Sequence, residues 1–301
     1  MDIISVIIVN YNSGSLLLET VRRVLLSSVP VNAYISDNGS CDESIRLLEP
    51  LLSEHPNLHI IENHVNLGFS CANNVILSAI DSDYYLILNP DCLIEVDTIE
   101  RMIEAIKSDR NVGMAGCLII NADGSEQTGC RRSIPTPWKS LLRVLHLSKM
   151  FPNQPSFQDF DLSRSPLPDK PIYVEAISGA FMLITSSALK KVGHLDPDYF
   201  LHCEDLDWCM RFSQSGYRIL FVPSVIVNHI KGSCSFNRPF FVEWHKHKGM
   251  IRFYKKFFIS TYPLPILWLV IAGVWLRFGL VISCYSSKYL FRYLGLNHDK
   301  S

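Results

Sequence analysis

Acidic and imidazole side chains crowd residues 202–207, His202-Cys203-Glu204-Asp205-Leu206-Asp207. A carboxylate held there could take the proton of an attacking hydroxyl. On a helix, Glu204 and Asp207 share a face, whereas Asp205 points about 100° away from Glu204. One of the three can then face a substrate while the others support the helix. Acidic residues in a first helical turn also favour the positive end of the helix dipole, so the cluster has a purely structural reading too. A second candidate is Asn89-Pro90-Asp91. A carboxylate at the end of a buried strand can reach a divalent cation bridging a diphosphate. Mg²⁺ and Mn²⁺ take oxygen ligands and need few from the protein when phosphates supply the rest. A plain turn is the competing reading. The third candidate is His229, followed by Ile230-Lys231-Gly232-Ser233 and preceded by an apolar, strand-like run at 220–227. A lone histidine there serves structure as readily as ligation.

The elements that must position these residues follow from hydrophobic periodicity. Residues 3–9 form a nearly unbroken β-branched run, which predicts a strand buried on both faces. The polar turn Asn10-Tyr11-Asn12-Ser13-Gly14 leads into a helix over about 15–26. A second strand at 31–36 ends in Asp37-Asn38-Gly39-Ser40, and Ser40 with Glu43 has capping-box spacing, predicting a helix from there to about residue 53. A third strand covers 58–62. The loop 63–69, with Asn66 and Gly68, leads to a helix capped by Ser70, and a fourth strand spans 84–88. Helical character runs from the acidic cluster through Gln214. Alternating strands and helices with short loops predict an α/β fold, a mostly parallel sheet with helices on both faces. Ligands in such sheets bind beyond the carboxyl ends of the strands, where 10–13, 37–40 and 89–91 fall. Asn, Asp, Gly and Ser are also ordinary turn formers.

Composition narrows the function. The chain has 301 residues, 48% hydrophobic and 19% charged, with a net charge of −1. That composition supports a large buried core and supplies no global field for nucleic acid. Phosphate motifs of the G-x-G-x-x-G and G-x-x-x-x-G-K-[ST] kinds are missing, as are H-E-x-x-H and G-x-S-x-G. The nine cysteines include no C-x-x-C pair, which argues against a zinc site or a disulfide framework and fits a reducing compartment. The first residues lack the pattern of a signal peptide, so the catalytic part is expected in the cytoplasm.

Taken in order, the motifs resemble family 2 glycosyltransferases of the GT-A fold, in the branch called rhamnosyltransferase-like. The matching residues are Val6-Ile7-Ile8-Val9-Asn10-Tyr11-Asn12, Asp37-Asn38-Gly39-Ser40, Asn66-Leu67-Gly68-Phe69 with Asn73-Asn74, and Leu88-Asn89-Pro90-Asp91. Further matches are Arg131-Arg132 with Pro135-Thr136-Pro137-Trp138, Ser178-Gly179-Ala180-Phe181-Met182-Leu183, and Val192-Gly193-His194-Leu195-Asp196. Glu204-Asp205-Leu206-Asp207 and His229 with Gly232-Ser233 complete a set running over 3–235. The resemblance implies transfer of a sugar, rhamnose or a hexose, from a nucleotide-diphosphate donor to a hydroxyl of a glycan acceptor, with inversion. It assigns Asn10, Tyr11, Asn12, Asp37, Asn38, Asn66, Gly68 and Asn89 to the nucleotide sugar, with Asp37 against the base. Asp91 and His229 would hold the divalent cation, Mg²⁺ or Mn²⁺. Asp205 would be the general base, with Glu204 and Asp207 on the acceptor side or supporting the helix. Asn89 stands where the family's D-x-D motif has its first acid, and brings no charge.

Arg131 and Arg132 could meet the diphosphate or an anionic acceptor, or be ordinary surface arginines. Residues 151–171, rich in Pro, Asp and Ser, predict a long surface loop. A helix over 264–284 would be about 30 Å long, enough to span hydrocarbon. Arg277, Lys288 and Arg292 fall within about 60° on such a helix, which instead suits an anionic membrane surface. A core helix packed on the catalytic domain is the third option. The expected organisation is a catalytic domain at 1–240, with a nucleotide half 1–120 and an acceptor half 121–240, followed by a membrane-associating helical tail at 241–301. The expected place is the cytoplasmic face of a membrane, with a glycan acceptor, lipid-linked or not, and no nucleic acid. Transfer to a polyprenyl phosphate and a degenerate nucleotide-sugar-binding scaffold are the alternative functions.

Overall fold

The computed structural model describes residues 2–144, 160–230 and 238–293. The chain divides into two compact units, one of Met1–Ile134, Asp159–Phe200 and Glu204–Cys234, the other of Pro135–Gln158, Leu201–Cys203 and Ser235–Ser301.

The first unit is built on a mixed sheet. Strands β1 (Ile4–Asn10), β2 (Asn32–Asp37), β3 (Leu58–Glu62) and β4 (Tyr84–Leu88) form where the β-branched and aromatic runs predict them. They lie parallel in the order β3-β2-β1-β4, so their carboxyl ends share one edge. Asn10 stands directly opposite Asp37 in the register. Beyond β4 the order continues through β10 (Phe181–Thr185), β6 (Val112–Ile120), β11 (Arg218–His229) and β5 (Cys92–Leu93). Strand β10 runs antiparallel to both β4 and β6, whereas β11 runs parallel to β6. Parallel geometry therefore holds among β1 to β4, and the sheet becomes mixed beyond β4. The short strand β8 (Ile172–Val174) pairs with β11, and β7 (Arg131–Arg132) pairs with β9 (Ala176–Ile177). Helices α1 (Ser15–Leu25), α2 (Glu49–Glu54), α3 (Gly68–Leu77) and α4 (Thr98–Lys107) connect the early strands. The core beneath them includes Val6, Ile8, Leu86, Leu88, Leu183 and Phe221, all essentially inaccessible.

Two helix starts differ from expectation. Ser40 does not cap a helix: its hydroxyl donates to Asp37 Oδ1 (2.6 Å) and accepts from Asn10 and from the Asn12 amide. Asp42 meanwhile closes a local turn by accepting from the Ser44 amide and hydroxyl, a conformation that competes with helix. Helical structure is delayed to a 3₁₀ turn at Arg46–Leu48 and to α2, whose Pro50 is tolerated in a first turn. Likewise Ser70 lies buried inside α3 rather than capping it. The helix begins at Gly68, whose amide donates to Asn66 Oδ1 (2.9 Å).

Later in the chain come α5 (Pro137–Val144), α6 (Ser186–Val192), α7 (Glu204–Gln214), α8 (Pro239–Phe258) and α9 (Leu264–Tyr293). Of the expected surface loop, 151–159 lie outside the described residues; Leu162–Arg164 forms a 3₁₀ turn capped by Asp161.

In the second unit α8 and α9 pack together through Trp244, Trp275 and Phe278, whose rings lie 5.7–5.8 Å apart. Tyr254, buried on α8, hydrogen-bonds Ser140 of α5 (2.5 Å), and burial pushes its phenol up to about 12. Helix α9 buries Leu267, Val270, Ile271 and Val274, one stripe at helical spacing, and exposes Trp268, Leu269, Trp275, Leu276 and Leu280. Its stretch Leu264–Ser287 is long and apolar enough to cross a membrane. Of the expected arc of Arg277, Lys288 and Arg292, the last two side chains lie outside the described residues.

Gly68 has φ +81°, and a Cβ there would stand 2.5 Å from the Phe200 carbonyl oxygen. Gly68→Ala is therefore expected to lose about 1–3 kcal/mol from strain and overpacking. Chemical denaturation reads this directly, and wild-type stability would contradict the close approach.

Candidate active site

At the carboxyl ends of β1 and β2, Asn10 is fully buried and its side-chain nitrogen donates to Asp37 Oδ1 (2.8 Å), Ser40 Oγ (2.9 Å) and Ser44 Oγ (2.9 Å). Its carbonyl oxygen is buried without a hydrogen-bond partner among the described residues. Asp37 also accepts from the Ser40 amide (3.0 Å). Asn12 adopts φ 54°, which Asn tolerates, and its side chain accepts from the Cys41 amide (2.7 Å). Tyr11 is half-buried in the same turn. A second ring of amides adjoins it. Asn63 donates to Asn38 Oδ1 (3.0 Å), and Asn38 donates to the Gly68 carbonyl (3.3 Å) and to Asn66 Oδ1 (3.4 Å). Asn74 instead ties α3 to Leu195 by two backbone bonds, and Asn73 turns back on Phe69.

The carboxylate of Asp91 and the ring of His229 lie next to one another. Strand β5 pairs with the end of β11, His229 opposite Cys92, and the Ile230 amide donates to the Asp91 carbonyl (3.0 Å). Asp91 Oδ1 is 3.0 Å from His229 Nε2, with the two side chains 7% and 10% exposed. Asn89 Nδ2 lies 3.4 Å from the same nitrogen. One carboxylate and one imidazole make a donor set suited to Mg²⁺ or Mn²⁺ when phosphate oxygens fill the remaining positions. The Cys92 thiol is within reach of this cluster, but burial pushes it well above the ordinary thiol range and it hydrogen-bonds the Ala180 carbonyl (3.5 Å). It remains a thiol, unsuited to ligation. Lys231, Gly232 and Ser233 lie outside the described residues.

A turn at 178–180 joins this corner to the acidic cluster. The Asn89 amide donates to the Ala180 carbonyl (2.9 Å), while the Gly179 amide donates to Asp205 Oδ2 (3.2 Å). Asp205 Oδ1 accepts from the Leu206 amide (2.8 Å), and Oδ2 is ion-paired with Arg132. Arg132 also donates to the Ile177 carbonyl (2.6 Å). Asp205 and Asp207 therefore engage different arginines. Asp207 is fully buried on Arg211 (2.7 Å), which holds the carbonyls of Val192 and His194. Glu204 is buried, and desolvation, reinforced by the charge of Asp205, raises its carboxyl from 4.5 to about 8. Glu204 thus keeps its proton at neutral pH.

Two residues were not singled out as a working pair in the sequence. Arg132 meets Asp205, whereas its neighbour Arg131 is structural, paired with Glu126 (2.9 and 3.0 Å) and capping the carbonyls of Ser165 and Pro166. The alternation of side chains along β7 is the signal that separates them. Gln127 accepts from His229 Nδ1 (2.6 Å). The signal for Gln127 is Asp123-Gly124-Ser125, a turn sequence that reverses the chain after β6 and returns Gln127 beside Ile119.

The chain is similar to known proteins over most of its length. The pattern described as glycosyl transferase family 2 matches residues 5–161, more than half of the chain. An N-acetylglucosaminyl-diphospho-decaprenol L-rhamnosyltransferase of Mycobacterium tuberculosis is 25% identical over 293 residues, covering 93% of each chain. Rhamnosyltransferase WbbL of Escherichia coli K12 is 28% identical over 213 residues, covering 66% of this chain and 74% of that one. The mannosyltransferase PcManGT from Pyrobaculum calidifontis, solved with GDP-Man and Mn²⁺, superposes with a TM-score of 0.59 at 15% identity, over 99% of this chain and 81% of that one. This last likeness shows the GT-A fold. With the fold, the ordered motifs and the matched region in agreement, the chain belongs to glycosyl transferase family 2 and is a rhamnosyltransferase-like glycosyltransferase.

Proposed function

We propose that the chain moves a sugar, rhamnose or a hexose, from a nucleotide diphosphate to a hydroxyl of a glycan acceptor, with inversion at the anomeric carbon. The observation that carries this reading is the turn at 178–180, which fastens Asn89 beside Asp91 and Asp205 on Arg132 through adjacent residues. In this reading Asp205 takes the proton of the acceptor hydroxyl as that oxygen bonds to the anomeric carbon and the sugar–phosphate bond breaks. A single base suffices, and no enzyme nucleophile is needed. Backbone amides and Arg132 fix the Asp205 carboxylate, while Glu204, protonated, does not compete with it for the proton. Asp91 and His229 would hold Mg²⁺ or Mn²⁺, which when bound would offset the negative charge left on the diphosphate. Asp37, Asn10, Tyr11 and Asn12 receive the nucleotide, and the unsatisfied Asn10 oxygen supports a donor group on the ligand. Asn38, Asn66, Gly68 and Asn89 line the way to the sugar.

The acceptor is lipid-linked in this proposal, and the setting is cell-envelope polysaccharide synthesis at the cytoplasmic face of a membrane. Support comes from the decaprenol-linked compound in the name of the mycobacterial relative and from the exposed apolar surface of α9.

Calorimetry with dTDP-rhamnose, UDP-hexoses and GDP-mannose is expected to find one donor whose binding needs Mn²⁺. Asp91→Ala should weaken it about 10–100-fold. Asp205→Asn should lower turnover about 10²–10⁴-fold with donor affinity retained. If no donor binds with or without metal, this reading is rejected; wild-type turnover in Asp205→Asn removes Asp205 as the base.

Fractionation tests the membrane part. The chain should sediment with membranes and be released by detergent, and recovery wholly in the high-speed supernatant would reject that placement.

The protonated Glu204 gives a pH signature. The unfolded carboxyl ionises near 4.5 and the folded one at about 8, so its contribution is whole below the first value and is lost as pH rises toward the second. Glu204→Gln is expected to flatten the fall of Tm across that window, and a wild-type slope in the variant would refute the assignment.

A further inference from the structure

Gln127 has no part in the mechanism above, yet it is 4% exposed and has no freedom to turn. Its backbone is bonded on both sides, to the Ile119 carbonyl (2.8 Å) and from the Cys130 amide (2.9 Å). Its amide nitrogen donates to Asn121 Oδ1 (3.1 Å). Asn121 in turn is held by Ser125, through a side-chain bond (3.0 Å) and a backbone bond (2.9 Å). With the nitrogen so engaged, the Gln127 oxygen is what faces His229 Nδ1, at 2.6 Å.

From this we infer that Gln127 is a positioning residue that fixes the tautomer of His229. An amide oxygen has no hydrogen to give, so in the neutral ring the hydrogen sits on Nδ1. The neutral ring then presents a lone pair at Nε2. The surroundings of Nε2 agree: Asn89 Nδ2, which can only donate, lies 3.4 Å away. Asp91 Oδ1 lies 3.0 Å from Nε2, so in this tautomer the carboxylate and the ring's lone pair are neighbours. Without an acceptor at Nδ1, the ring would place its hydrogen on Nε2 and donate it to Asp91, closing the site on itself. Gln127 prevents that closure, and the reversal at 121–127 exists to hold it in place. The inference rests on the proposed metal-binding role of Asp91 and His229 only for its consequence. The tautomer itself does not depend on a metal.

The test uses the full-length chain labelled with ¹⁵N-histidine, in EDTA and at a pH where the ring is neutral. Long-range ¹⁵N–¹H spectra, with His229 assigned by its loss in His229→Asn, are expected to show the hydrogen on Nδ1. A hydrogen on Nε2 in the wild type overturns the inference without any further variant. Gln127→Met keeps the length and removes the acceptor. It should move the hydrogen toward Nε2 and weaken Mn²⁺ binding, measured by electron paramagnetic resonance with UDP present, about 10–100-fold. Gln127→Glu keeps an oxygen at Nδ1 and should restore both readouts, which a merely structural role would not do. If Gln127→Met does not fold, the wild-type spectrum and Gln127→Glu decide: an Nε2 hydrogen in either one refutes the role. Should the wild type bind no Mn²⁺ while the tautomer follows Gln127, the metal reading fails and the positioning role stands. Should Mn²⁺ bind through Asp91 equally well in Gln127→Met, the positioning role fails alone.

Discussion

The ion pair between Arg132 and Asp205 is the constraint around which the catalytic unit is arranged. Both side chains are largely buried, 15% and 14% exposed, and neither charge could be left there alone without a cost of several kcal/mol. Holding the pair demands a fixed backbone on each side. Strand β7 supplies it for Arg132 by pairing with β9, so that the guanidinium also reaches the Ile177 carbonyl. The next residues, 178–180, supply it for Asp205 through the Gly179 amide and then continue into β10. Because β10 runs antiparallel beside β4, that turn arrives where β4 ends, and Ala180 takes the amide of Asn89. One reversed strand in an otherwise parallel neighbourhood thus brings the acidic helix and the Asp91 corner to a common edge.

This explains which parts of the molecule were legible in the sequence. Strands β1 to β4 read clearly because each is a short apolar run closed by polar turn formers, and their order follows from βαβ geometry. At 204–207 helical phase predicts different directions for neighbouring acids, and Asp205 and Asp207 do meet different arginines. What failed was local chemistry with two possible partners. Ser40 and Glu43 have the spacing of a cap, but Asp37 and Asn10, distant in sequence for one of them, compete for the same hydroxyl and prevail. The reversed direction of β10 and the partner of Arg132 depend on contacts between residues tens of positions apart, which periodicity does not encode.

The approach to the acidic helix carries strain of its own. His202 and Cys203, directly before Glu204, have φ 68° and 71°, each costing roughly 1–3 kcal/mol for a residue with a Cβ. Within the second unit that conformation is held from α8. Gly249 lets the His202 carbonyl approach to 2.7 Å from where a Cβ would stand, and the Cys203 thiol meets the Lys246 carbonyl. A chain segment bonded to Glu204 is therefore stabilised by the same helix that packs on the apolar α9.

The replacement of an acid by Asn89 gives the Asp91 corner its particular logic. In the proposed metal site, one carboxylate in place of two would offer a cation less negative charge, and the neutral ligand would have to present its lone pair. A histidine does so only when its other nitrogen is occupied, and the tight turn at 121–127 serves that need from the opposite side of the ring. The same turn carries Glu126, which neutralises Arg131 and leaves Arg132 the guanidinium that pairs with Asp205. Adjacent residues of one reversal therefore act on both halves of the site, Glu126 on the arginine that must stay out of it and Gln127 on the imidazole that must stay open.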